Sequence, residues 1–440
     1  MKIGFYESDI TPPLGVFMPG HGRWLYGSDV YDKIYAKAIA FESYGECAII
    51  VSVDSLSPPE DIYDKVTSRI TELSGIPKEK VSLHFTHTHW GAPLYGETIM
   101  GIREDAAYVD VCYRIIADTA VLAYRRMVET DGYFEVGVVE GVAFNRDYVM
   151  EDGTVITYGS NGKAVKEMFG PTDTSLPLIK FFRDGKPCGA LINFALHQCC
   201  GDHDCITGDY SSILSKKLKE KYGESFVSVF TAGTCGDINH LNTNLVPWDE
   251  FRYREIGEIM AREVIRMIDG GSGENIGEGI ALAEETVFID KRIPTNEYTR
   301  LRAKELIEND KYYANINSSF LRIRSLILAN TLHSNPKAMK QMEIILKAFK
   351  IGNVCLYSMP GEIFVNYGLR LKKESPFKNS IILELSNSHL GYIPTPEAFG
   401  ENCDLYETNL TYKSIIPEGG NIMVDKLLEL GEKLIQGENK

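Results

Sequence analysis

The 440-residue chain contains no apolar run long enough to span a membrane. Its start, MKIGFYESDITPP, lacks the apolar stretch of a signal peptide, so none is expected. There is no C-x-x-C, and nine cysteines are an odd number for a disulfide framework. A reducing, cytoplasmic setting is the expectation. No basic cluster or arginine-rich stripe interrupts a net charge of -15, which argues against a nucleic-acid partner. Repeats and low-complexity segments are also lacking. The glycine-rich stretch Gly233-Thr-Cys-Gly-Asp-Ile-Asn239 is not followed by Gly-Lys-Ser/Thr, so it is not a phosphate-cradling loop. What remains is ordinary globular material, 44% hydrophobic and 24% charged, enough for a large core.

Periodicity predicts an α/β fold: a mixed β-sheet core flanked by helices. Apolar runs predict strands over Tyr35–Ser43, Glu46–Val53, Phe134–Val139, Pro177–Phe182, Cys188–Leu196, Phe226–Phe230, Gly279–Ile289, Met342–Ala348, Asn353–Ser358 and Ser380–Leu385. Helical spacing marks Pro58–Leu73, Asp105–Thr130, Ser211–Lys221, Asp249–Ile268, a helix from Pro360 through Arg370, and Val424–Ile435. The whole span 1–440 reads as a single domain, with a charged helical excursion over 295–340 as scaffold or lid. That excursion offers a surface for self-association, so a homo-oligomer is allowed.

Apolar strands in this chain end in polar residues again and again: Asp54, His87 and His89, His197, Asp237 and Asn239, Glu362, Asn387. A core strand needs no such endings, whereas ligand sites in α/β sheets form beyond strand carboxyl ends. The most informative stretch is Val81-Ser-Leu-His-Phe-Thr-His87-Thr-His89-Trp90-Gly91. If it stays extended, His87 and His89 share a face, as a metal or proton-transfer site requires. Taken singly, each candidate has a plainer explanation. A lone His-x-His is more often a core imidazole beside an exposed one. Glu362 would sit well at a helix start whatever its chemistry. Arg146 would make a weak surface ion pair. Cys199, Cys200, Cys205 and His203 fit no structural zinc spacing, and the cysteines read better as buried hydrophobes.

Taken in order, these motifs resemble the neutral (non-lysosomal) ceramidase family. Asp9-Ile-Thr-Pro-Pro-Leu-Gly15, Ser52-Val-Asp54, Thr86-His-Thr-His89, Asn193-Phe-Ala-Leu-His197, Met359-Pro-Gly-Glu362, Gly391-Tyr-Ile-Pro-Thr-Pro-Glu397 and Tyr406-Glu407 carry the likeness. The resemblance implies Zn2+ held by His87, His197, Glu362 and Tyr392. It implies His89 and Tyr406 as acid/base or supporting groups, and Arg146 on the substrate side. Two departures stand out: Trp90 where the family has serine, and Gly236-Asp-Ile-Asn-His240 where it has a serine-bearing loop. The C-terminal immunoglobulin-like domain and signal peptide of long members are not expected here, leaving the catalytic domain alone.

The expected activity is zinc-dependent hydrolysis of an amide bond in a small, polar substrate, with an ester or lactone as the alternative. Zinc lowers the pKa of water toward neutrality. His89 would take or relay the proton, Tyr406 and Arg146 would face the oxyanion, and Trp90, Asp237 and Asn239 would line the substrate side. The competing readings are a (β/α)8-barrel amidohydrolase, a cysteine hydrolase using Cys199 or Cys235, and a non-catalytic metal- or sugar-binding protein. The barrel fits poorly, since about eighty residues precede the His-x-His.

Overall fold

The computed structural model describes residues 1–21, 25–94, 105–158, 164–201, 204–242, 252–292, 340–409, 411 and 413–437. The expected excursion (all but residue 340) and His203 lie outside them.

Three mixed sheets share one plan. The first is built from β1 (Lys2–Asp9), β2 (Tyr35–Ser43), β3 (Glu46–Val53) and β4 (Val81–Phe85), in the order β4-β3-β2-β1. The second is built from β5 (Asp131–Val138), β6 (Ser175–Arg183), β7 (Lys186–Phe194) and β8 (Val227–Ala232), in the order β8-β7-β6-β5. The third is built from β9 (Ile280–Asp290), β10 (Gln341–Ile351), β11 (Val354–Ser358) and β12 (Asn379–Leu383), in the order β9-β10-β11-β12. Each runs antiparallel except for one parallel pair at its edge: β3 with β4, β7 with β8, and β11 with β12.

Side-chain alternation explains how each sheet is buried on both faces. In β2, Ala36, Ala38 and Ala40 face helices α1 (Ile62–Ser74) and α2 (Ala106–Arg125), while Ile39 and Phe41 face the opposite way. In β7, Ala190, Ile192 and Phe194 meet α3 (Asp209–Tyr222) and α4 (Tyr253–Asp269), and Leu191 faces inward. In β11, Cys355 and Tyr357 join the core of α5 (Val365–Glu374) and α6 (Gly419–Gln436), with Val354 and Leu356 inward. The inward sets of all three sheets form one central core, including Phe41, Phe181 and Phe349. Each such large side chain contributes roughly 1.5–3 kcal/mol on burial.

The parallel edges β4, β8 and β12 meet at the centre, which covers backbone that a free edge would leave unpaired. The Ala232 N–H donates to His84 Nε2, and the Glu384 N–H to the Ala232 carbonyl. Asn387 joins β4 twice, through its N–H to the Leu83 carbonyl and through Oδ1 from the Leu83 N–H. Asn193 Nδ2 reaches the Ile382 carbonyl. His84 is buried, and burial pushes its pKa down to about 3. It therefore stays a neutral acceptor between sheets.

Two local expectations change. The helix expected from Pro360 begins only at Val365. Glu362–Ile363 is instead a two-residue strand paired in parallel with Tyr392–Ile393. β4 stops at Phe85, and His87 has φ 68, so the Thr-His-Thr-His step expected to be extended is not. β1 is a full strand that the apolar runs singled out from sequence did not include.

Candidate metal centre

The carboxyl ends of the parallel pairs open onto one place. His87 follows β4, His197 follows β7, and Glu362 lies between β11 and α5. His87 Nε2 lies 2.8 Å from His197 Nε2. Glu362 Oε2 is 3.4 Å from the first and 3.8 Å from the second. All three residues are buried.

The ring tautomers follow from the second nitrogens. His87 Nδ1 is 2.6 Å from the Leu56 carbonyl, and His197 Nδ1 is 3.1 Å from the Cys235 carbonyl. A carbonyl only accepts, so each Nδ1 carries the hydrogen and donates it. In the neutral rings both Nε2 atoms then present lone pairs to each other, with a carboxylate oxygen beside them. Three electron-rich atoms converging without a donor is unfavourable until a cation sits among them. Burial would raise the Glu362 carboxyl, but His87 and His389 outweigh it and hold it well below its ordinary value. The donor set of two imidazoles and a carboxylate suits zinc.

Tight backbone turns place these atoms. The left-handed conformation of His87, with its N–H on the Ser55 carbonyl, turns the imidazole inward. Such a conformation in a non-glycine residue costs about 1–3 kcal/mol and is found where surrounding structure enforces it. Glu384 accepts from the Cys235 and Ile363 N–H groups, bracing the segments that carry the His197 partner carbonyl and Glu362.

His89 stands one step outside. Its ring centroid is 5.1 Å from that of His87 and 5.4 Å from that of His197, against 4.2 Å between those two. The ligand-capable atoms of the three imidazoles all lie within 4.8 Å of one another. His89 Nε2 is buried with no hydrogen-bond partner among the described residues. Burial, then His87, His197 and His21, push its pKa well below the ordinary value, so it is a neutral base. Gly20, at φ 96, closes over it; a Cβ there would lie 2.9 Å from His89 Nδ1. His21 Nε2 meets the His89 carbonyl, and its ring packs edge-on to Trp90 at 4.7 Å.

Arg146 lies buried between the loop at Gly236 and the segment at Tyr406. Its Nε donates to Glu407 Oε1 at 2.6 Å and its Nη2 to the Gly236 carbonyl at 2.7 Å. The guanidinium is 5.3 Å from the Tyr392 ring centre and 5.9 Å from that of Tyr406. Burial opposes its charge, yet Glu407, then the Tyr392 and Tyr158 hydroxyls, hold its pKa well above the ordinary value. Tyr392 sits opposite Glu362 in the short parallel pair and packs edge-on to Tyr406.

The expected substrate-side residues are occupied internally. Asp237 accepts from Asn145 Nδ2 and the Val365 N–H, and Asn239 Nδ2 reaches Cys199 Sγ and Tyr158 Oη. Trp90 is buried against His21 and Gly201. Three residues were given no role from sequence. His389 bonds Glu362, Glu384 braces it, and Glu407 pairs with Arg146. Glu384 does end the apolar run Ile381-Ile-Leu383, the same signal that marked the others.

Gly236 tests the construction. A Cβ there would stand 2.6 Å from the Glu362 carbonyl oxygen, which is backbone and cannot swing aside. Gly236→Ala is expected to cost about 1–3 kcal/mol in urea unfolding. Displacement of Glu362 should weaken metal uptake about 10-fold or more, read by metal titration of the apo-protein.

No family model matches the chain, and no curated protein matches it. Among solved structures it is similar to the neutral ceramidase from Pseudomonas aeruginosa, at 18% identity and a TM-score of 0.75. That match covers 98% of this chain and 74% of that one. A second similar structure, a ceramidase complexed with C2, has 17% identity and a TM-score of 0.76, covering 99% and 75%. The chain has a neutral-ceramidase-like α/β fold.

Proposed function

We propose that this chain is a zinc-dependent hydrolase cleaving the C–N bond of an amide in a small, polar substrate. The observation that carries the reading is the meeting of His87 Nε2, His197 Nε2 and Glu362 Oε2 within 3.8 Å of one another, with the Nδ1 of each ring held by a backbone carbonyl. The likeness to solved ceramidases supports an amide as the bond. His87, His197 and Glu362 would hold the ion, with Tyr392 beside Glu362 as the fourth ligand.

A bound zinc ion supplies polarisation of the carbonyl and a water acidified toward neutrality. The chain's own residues do the rest. His89 is neutral and unpartnered at Nε2, so it accepts the proton from the attacking water and returns it to the departing amine. Arg146 strengthens the Tyr406 hydroxyl as a donor, and Tyr406 faces the oxyanion. Trp90 walls the site, and Asp237 and Asn239 hold its loop.

A thiol nucleophile is disfavoured. Burial pushes the Cys199 thiol up to about 12, and burial raises Cys200 and Cys235 further above the ordinary range. Nine unbridged cysteines support a reducing compartment such as the cytoplasm. Among the described residues no helix is long and apolar enough to cross a membrane.

The test is a panel of N-acyl amides, esters and lactones, run with protein purified without added metal and again after chelation. Turnover of amides that disappears with the metal and returns with zinc is expected. A metal-free preparation with full activity would overturn the reading. Turnover confined to esters or lactones would retain the metal and replace the bond.

A further inference from the structure

We propose that His389 is a positioning residue that fixes how Glu362 binds its metal: through Oε2 alone. The inference rests on the metal reading above and deepens it.

The carboxylate of Glu362 has two oxygens in different surroundings. Oε2 faces the two imidazole lone pairs at 3.4 and 3.8 Å. Oε1 faces away and accepts a hydrogen bond from His389 Nε2 at 3.1 Å. Both carboxylate oxygens are competent ligands, and carboxylates bind metals through one oxygen or two. A donor placed on one oxygen removes that choice. With Oε1 engaged by His389, swinging the carboxylate to chelate would break a buried hydrogen bond.

The position of His389 is set by the fold rather than by its own rotamer freedom. It lies between two anchored points of one short loop. On one side, Asn387 has φ 66 and is fastened to β4 and to Ser358 Oγ. On the other, the Gly391 carbonyl accepts the Glu362 N–H, and Tyr392 pairs with Glu362. The loop that carries the proposed tyrosine ligand therefore also carries the group that orients the carboxylate. Its side chain is more than three-quarters buried.

The consequence is a coordination number. One oxygen from Glu362 beside two imidazoles and a phenol gives four protein ligands. Two oxygens would fill a further position, the one a water or a substrate carbonyl needs in a catalytic site. His389 thus keeps that position open.

The test replaces His389 and reads the metal directly. Co2+ alone is titrated into the apo-protein, since its visible bands strengthen as coordination falls toward four and weaken as it rises. In His389→Phe, chelation by Glu362 should weaken the bands and change Co2+ affinity about 10- to 100-fold. His389→Gln keeps an N–H donor and should restore the wild-type spectrum, which a merely space-filling role would not predict. A His389→Phe spectrum and affinity superimposable on wild type would overturn the assignment of His389 while leaving the metal reading intact. Failure of the wild-type protein to take up Co2+ or Zn2+ at all would overturn the metal reading, and this inference with it.

Discussion

His197→Ala is expected to lower kcat/KM on any amide the protein turns over by at least about 10³-fold, and to reduce bound metal from one equivalent toward none. Loss of a catalytic ion would remove several kcal/mol of transition-state stabilisation, and about 1.4 kcal/mol is a factor of ten. The variant also removes one of the two Nε2 atoms that lie 2.8 Å apart. A second readout follows. A ligand present at a thousand times its dissociation constant stabilises the folded state by about 4 kcal/mol. Chelation should therefore lower the urea midpoint of the wild-type protein by a corresponding amount and leave that of His197→Ala unchanged. A variant retaining full metal and full activity would show that His197 is not a ligand.

Arg146→Met is expected to destabilise the protein by about 3–5 kcal/mol, the cost of breaking a buried pair from one side. The side chains of Arg146 and Glu407 are 4% and 0% exposed. Without the guanidinium, Glu407 has only Thr157 as a side-chain donor among the described residues, and the Gly236 carbonyl loses the Arg146 Nη2 hydrogen bond. Two further buried carboxyls lie close by. Burial, then Glu407, raises the pKa of Asp147 well above the ordinary value, and burial pushes Asp237 up to about 7. One guanidinium thus offsets much of an acidic cluster. The double variant Arg146→Met with Glu407→Gln removes both charges and should recover most of the lost stability. Urea unfolding of wild type, the two single variants Arg146→Met and Glu407→Gln, and the double variant gives the coupling energy directly. A single variant within about 1 kcal/mol of wild type would mean that the pair is worth no more than a surface one.

The strands and helices were largely legible because their signals are local. Apolar runs of eight or nine residues marked β2, β3 and β7, and helical spacing marked α2 and α4. The polar ends of apolar strands pointed to His87, His197 and Glu362, and the fold brings these side chains together although the two imidazoles are 110 residues apart. The stated geometry was less accurate. His87 was expected to share a face with His89 through strand pleat, yet it turns in by a left-handed conformation that only a minority of histidines adopt. Glu362 was expected at a helix start, yet it is a strand residue because Tyr392 pairs with it.

The amino-acid sequence by itself determined the period of each element, its apolar face and the chemistry at its end, because these depend on neighbours a few residues away. Only the tertiary structure decided that three sheet edges cover one another, that Glu384 and His389 grip the loop and carboxylate of Glu362, and that Arg146 faces Glu407. Those are contacts between distant segments, and each exists because a buried donor or acceptor must find its partner wherever the folded chain places one.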